Sequence, residues 1–270
     1  MQQDERRREL IGALLAERPD GRDIAMPADE DGQRALLRAL MNVRPPAPVP
    51  PATMAVQDAY LIERLAERGG AVDAAALAPV DASDPVLGRI ALWRGDITLL
   101  AADAIVNAAN SRLLGCFVPG HHCIDNAIHS FAGMELRLSC ASIMRAQGHE
   151  EPAGCVKVTP GFNLPARLVF HTVGPVVQGG APGAREREAL ARCYRACLGE
   201  ATRRGLGTLA FCCISTGLFG FPQDEAARIA VETVRAHLAT ADPDLKVVFD
   251  VFTDRDQRIY QDLLSRARTA

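Results

Sequence analysis

The sequence predicts an α/β domain whose sheet carries helices on both faces, preceded by a helical N-terminal segment. Two features lead there. From Ile90 onward, short apolar runs alternate with longer amphipathic stretches, and strands interleaved with helices bury a sheet from both sides. Before residue 85 the pattern is helical only, interrupted by the run Pro45-Pro46-Ala47-Pro48-Val49-Pro50-Pro51. A chain of 270 residues, 48% apolar and 23% charged, can form one large domain or a domain with an appendage.

Leu10, Ile11, Leu14 and Leu15 recur at helical spacing among charges, which predicts an amphipathic helix over 5–16. Its arginines are balanced by glutamates and read as a solvated face. Ala35, Leu36, Leu37, Leu40 and Met41 suggest a second helix. The proline run cannot be helix interior and should be an extended connector. Tyr60, Leu61 and Leu65 mark a third helix over 55–68. The predicted strands are 90–94, 104–108, 155–159, 168–172, 209–214 and 247–252. The predicted helices are 124–147, 184–204, 222–239 and 255–266.

A net charge of -3 supplies no global field for nucleic acid or an anionic membrane, so neither is expected as a partner. The opening MQQDERRRELIGALLAERPD is densely charged and lacks the apolar core of a signal peptide. No stretch approaches the roughly 20 apolar residues of a membrane span. The expectation is a cytoplasmic protein. In that reducing compartment the eight cysteines read as core residues, metal ligands or reactive thiols rather than a disulfide scaffold. Cys193, Cys197, Cys212 and Cys213 lie in apolar helix and strand patterns and are expected in the core.

Three segments carry chemistry, each where a predicted strand gives way to a loop or helix, the end at which open α/β sheets collect ligands. Residues 106–129 read VNAANSRLLGCFVPGHHCIDNAIH. Cys116, His121, His122 and Cys123 offer the thiolate and imidazole ligands that zinc prefers. The spacing is too compact for a four-ligand finger, whereas three ligands with an open position make a catalytic zinc site. The alternative is a loop with buried cysteines. ISTGLFGFP at 214–222 is either a plain strand-to-helix turn or a nest of N–H groups for phosphate oxygens, with Ser215 and Thr216 adding hydroxyls. Asp96 in GDIT (95–98) can accept from an exocyclic amine such as adenine N6, or cap the following turn. Asn107 and Asn110 suit ribose hydroxyls, or turn formation.

GDIT, VNAANS, the aspartate before NAIH, HTVGP at 171–175 and STGLFGF follow one another in the order seen in the macrodomain family, which this chain resembles over residues 88–268. The hydrolase branch has a run of glycines between NAAN and the aspartate. LLGCFVPGHHCIDNAIH instead resembles the zinc-dependent macrodomain subfamily, whose pattern is GCF-x-P-x-H-x-C-I-D-N. The resemblance implies an α/β/α sandwich with a mixed central sheet over 86–270, and a helical extension over 1–85 packed on it. It implies one zinc held by Cys116, His121 and Cys123, with His122 at a variable position. It places Asp96 and Ile97 at the adenine, Asn107 and Asn110 near the distal ribose, and Asp125 with Asn110 in the catalytic loop. Ser215, Thr216, Gly217, Leu218, Phe219, Gly220 and Phe221 fall on the diphosphate loop, Phe221 replacing an aromatic hydroxyl found in many relatives. His129 and His171 are expected to make structural hydrogen bonds.

The activity implied is removal of mono-ADP-ribose from modified protein side chains by a zinc-dependent hydrolase, reversing ADP-ribosylation. Asp125, at a helix start and ionised at neutral pH, would act as base, or merely cap that helix. The subfamily implies carboxylate or similar acceptors and, as a partner, a lipoyl-carrying protein modified by a sirtuin-type transferase. The competing expectation is a non-catalytic ADP-ribose reader with a structural zinc.

Overall fold

Central to the fold is a six-stranded sheet. The computed structural model describes residues 1–240 and 244–267; residues 241–243 and the last three of the expected 86–270 unit lie outside the described residues. The strands are β2 (Ile90–Arg94), β4 (Ala104–Ala109), β5 (Val156–Pro160), β6 (Leu168–Val173), β7 (Thr208–Phe211) and β8 (Lys246–Val251), in the spatial order β2-β8-β7-β4-β6-β5. All neighbours are parallel except β5, which runs antiparallel to β6 at the edge. The near-continuous burial of β4, β7 and β8 is that of strands covered on both faces.

Helices α6 (Ala184–Arg203), α7 (Gln223–Thr240) and α8 (Asp254–Ala267) pack side by side. Helices α4 (Ile124–Ala132) and α5 (Met134–Gln147) pack on each other, on β4 and on β5. The sequence predicts one helix over 124–147, but Gly133 breaks it. Gly133 has φ 96°, and a Cβ there would lie 2.6 Å from the Gln57 amide, so only glycine permits the turn. The strand expected over 209–214 ends at Phe211, which frees Cys212 and Cys213 from the sheet. A two-stranded pair, β1 (Val72–Asp73) with β3 (Leu100–Ala101), interrupts the purely helical character expected before residue 85.

Helices α1 (Gln3–Ala16), α2 (Glu30–Val43) and α3 (Pro51–Glu67) form the N-terminal layer. Pro51 occupies the first turn of α3, where its missing N–H costs nothing. Leu10, Ile11, Leu14, Leu37, Leu40, Met41, Tyr60 and Leu61 make one apolar cluster that also includes Met134 of α5. Arg7 departs from the expected solvated face: it is buried and donates to Gln33 and Glu30. Polar ties reach the rest of the chain. Gln57 Oε1 accepts from Met134 N at 2.8 Å, Asn42 Nδ2 donates to Ser130 Oγ at 2.8 Å, and Asn163 Nδ2 donates to Asp58 at 2.8 Å. No described helix is long and apolar enough to cross a membrane.

Candidate functional site

The C-terminal ends of β2, β4, β7 and β8 open into a cleft of about 530 Å³, within the range of small-molecule sites. Asp96, Ile97, Asn110, Cys116, Cys123, Asp125 and Ser215 through Phe219 all line it. Asn107, His121, Gly220 and Phe221 are not on its wall. Asn107 and Phe221 are buried, so their side chains support the site from behind rather than touch a ligand.

Asp125 sits in the first turn of α4, but it is not the cap. Cys123 caps α4, its Sγ accepting from Asn126 N at 3.4 Å. The Asp125 carboxylate instead accepts from Asn107 Nδ2 at 2.8 Å and Asn110 Nδ2 at 3.2 Å. Burial raises the Asp125 carboxyl to about 6, against the opposing hydrogen bonds of Asn107 and Asn110 and the charge of Arg137; at neutral pH the ionised form still predominates. Asn110 also donates to the Gly115 carbonyl and accepts from Arg112 N. Its role in this geometry is to fix the loop and the carboxylate.

Beside Asp125, the Cys116 and Cys123 sulfurs and a His121 ring nitrogen all lie within 4.8 Å of one another. Cys116 Sγ and His121 Nδ1 are 3.4 Å apart. Zinc–sulfur and zinc–nitrogen bonds of about 2.3 and 2.0 Å in a tetrahedron separate donors by about 3.5–3.8 Å, so the donor set fits zinc in chemistry and spacing. His122 is exposed on the cleft wall and outside that cluster. A second donor group, His129, Cys140 and His171, is wholly buried and does not line the cleft. His171 pairs with Thr159 at 2.9 Å, as a structural histidine should. Both ring nitrogens of His129 lack a hydrogen bond. Burial holds His171 down to about 3 and His129 well below the ordinary range.

At the far end, Asp96 Oδ1 accepts from Thr98 N at 3.0 Å and Oδ2 pairs with Arg68 at 2.6 Å. The capping role is therefore real, and the carboxylate still lines the cleft. Phe252 presents an exposed ring on the same wall. In the 214–222 turn, Ser215 adopts φ 66° and Gly220 φ 70°. The Ser215 hydroxyl is buried without a partner. Among the described residues, none of the backbone N–H groups of Thr216, Gly217, Leu218 and Phe219 donates to a protein acceptor. Left-handed backbone beside bare N–H donors is a geometry that anion-binding loops use.

Sequence reasoning missed several wall residues. Cys212 and Cys213 line the cleft rather than serving only the core. Asp250 has an unpartnered Oδ1, and burial pushes its carboxyl well up. Arg38 reaches the wall from α2 across 83 or more residues, and Arg68, which is not itself on the wall, pairs with Asp96 across 28 residues. No local motif signals such contacts.

The model of the Macro domain family matches residues 106–230. A protein from Treponema medium named protein-ADP-ribose hydrolase is 49% identical over 267 residues, covering 98% of this chain and all of that one. One of the same name from Staphylococcus aureus strain MRSA252 is 46% identical, over 95% of this chain and 94% of that one. The Trypanosoma brucei macrodomain solved in complex with ADP-ribose superposes with a TM-score of 0.65 at 35% identity, over 83% of this chain and 94% of that one. With the sheet order, the loop geometry and a full-length relative in agreement, this chain belongs to the macrodomain family.

Proposed function

We propose that this protein is a zinc-dependent protein ADP-ribosyl hydrolase that removes mono-ADP-ribose from modified side chains. The observation that carries the reading is the Asp125 carboxylate. It is held by two asparagines, points into an ADP-ribose-sized cleft, and lies beside three convergent metal donors. The names of the Treponema and Staphylococcus relatives support the reaction, and the ADP-ribose complex of the Trypanosoma macrodomain supports the ligand.

ADP-ribose would place its adenine at Asp96 and Ile97 with the Phe252 ring packed on it, and its diphosphate on the N–H groups of residues 216–219. Its distal ribose would lie at Asp125. Cys116, His121 and Cys123 would hold zinc, which when bound supplies Lewis acidity at the C1″ end of the ligand. Asp125 orients the attacking water and accepts its proton. Asn107 and Asn110 keep the carboxylate in place for that transfer. The resemblance to the zinc-dependent subfamily supports acceptors of carboxylate type and a lipoyl-carrying protein, modified by a sirtuin-type transferase, as partner.

The test is incubation with a protein mono-ADP-ribosylated on carboxylates, followed by chromatography of the released nucleotide. Free ADP-ribose at substoichiometric enzyme supports hydrolysis. Tight binding of the modified protein with the linkage intact would make this protein a reader.

A further inference from the structure

We propose that Arg38, delivered by the N-terminal layer, binds the diphosphate of the ligand and makes residues 1–85 part of the binding site. The inference rests on the ADP-ribose reading above.

Helix α2 packs on α4 and carries Arg38 onto the cleft wall. Arg38 Nε and Nη2 donate to Asn126 Oδ1 at 3.3 and 3.1 Å, and Nη2 reaches the His121 carbonyl at 3.5 Å. These contacts fix the plane of the guanidinium. Among the described residues the remaining nitrogen, Nη1, has no acceptor, so the fork has a donor edge to offer a ligand.

Charge makes the case stronger. Asp96, Asp125, Asp250 and Asp256 also line the cleft, and Arg38 is the one Arg or Lys among its described lining residues. Burial pushes the Asp250 carboxyl well up and Asp96 is paired with Arg68, which leaves Asp125 and Asp256 to repel a dianionic diphosphate unless a fixed cation meets it. Arg38 stands between the two ends of the cleft: it bonds Asn126 and the His121 carbonyl beside the metal donors, and the Asp96 carboxylate acts on it from the nucleoside end. A ligand spanning both ends carries its diphosphate between them. Arginine matches phosphate oxygens in geometry as well as charge. The bare N–H groups of residues 216–219 would hold the phosphates from the loop side, and Arg38 from the α2 side.

The test is calorimetric titration of the full-length, metal-loaded protein with ADP-ribose, for the parent, Arg38→Gln and Arg38→Lys. At about 50 mM salt, Arg38→Gln should bind roughly 10- to 100-fold more weakly, the loss expected for a charge-assisted hydrogen bond. Arg38→Lys should recover part of that loss. Raising salt to about 500 mM should weaken the parent more than Arg38→Gln, because only the parent presents the cation. Arg38 also supports Asn126 and the His121 carbonyl, and the salt comparison separates that role from its charge. Binding by Arg38→Gln within two-fold of the parent, or a loss that lysine does not relieve and salt does not diminish, overturns the inference. A parent that binds no ADP-ribose overturns instead the reading of the cleft on which the inference stands.

Discussion

Replacing Asp125 with asparagine separates a base from a structural carboxylate. The carboxylate accepts two amide hydrogens, from Asn107 and Asn110. An asparagine side chain can present its oxygen to one of them but sets its own NH₂ against the other. Losing one such buried hydrogen bond costs about 1–3 kcal/mol. Against this stands the charge: even with these hydrogen bonds in place burial raises the Asp125 carboxyl to about 6, a net penalty of roughly 3 kcal/mol for keeping it ionised, which a neutral amide avoids. The two effects nearly cancel. Asp125→Asn should therefore melt close to the parent, keep its metal and bind ADP-ribose comparably. It should lose on the order of 100- to 10,000-fold in turnover, as expected for removal of a general base. The assay is steady-state release of ADP-ribose from a mono-ADP-ribosylated protein, with metal content and a thermal melt on the same samples. Turnover within a few-fold of the parent, with metal and fold intact, would refute the assignment of Asp125 as base.

Asp96→Ala should weaken ADP-ribose binding by roughly 1–3 kcal/mol in calorimetric titration while the protein stays folded, and unchanged affinity would remove Asp96 from the adenine site. A fragment of residues 1–85 should show no cooperative thermal transition, because its apolar cluster is completed by Met134 and its buried Asn42 and Gln57 have their partners at Ser130 and Met134; a sharp melt of the isolated fragment would contradict this. His171 makes stability fall in acid. Its folded pKa of about 3 lies below the ordinary value of about 6.5, so the unfolded chain binds the proton first. Stability should be unaffected by this group above about pH 6.5 and fall by up to about 1.4 kcal/mol per pH unit below it, levelling near pH 3. Urea denaturation at several pH values should show a shallower decline for His171→Gln, and equal slopes would count against the effect.

The parts of the fold set by local pattern were legible in the sequence. Strand β4 and its NAAN turn, the α6 stripe and the helical N-terminal layer all follow from apolar spacing within a few residues. The break at Gly133 was not placed, because what requires glycine there is the Gln57 side chain, 76 positions away in sequence. The same holds for the β1–β3 pair, whose two-residue strands are too short to leave a periodic signal. At the site, the local motifs fall on the walls of one cleft. Tertiary contacts then decided the roles: Asn107 turns inward to Asp125 and leaves the wall, Cys123 takes the capping position, Arg38 enters from a helix with no motif of its own, and Arg68, at the end of α3, pairs with Asp96.

A catalytic zinc makes turnover, but not binding, depend on the metal. Release of ADP-ribose from a mono-ADP-ribosylated protein would be followed before chelation, after chelation, and after return of one equivalent of zinc, with ADP-ribose affinity and a thermal melt at each stage. About one zinc per chain is expected, held by Cys116, His121 and Cys123, with loss of most turnover on chelation while the fold and ADP-ribose binding are retained. Turnover should return with the metal, and Cys123→Ala should neither hold zinc nor recover. Full turnover in the chelated protein would contradict a catalytic zinc, and loss of binding together with the loop's stability would make the metal structural.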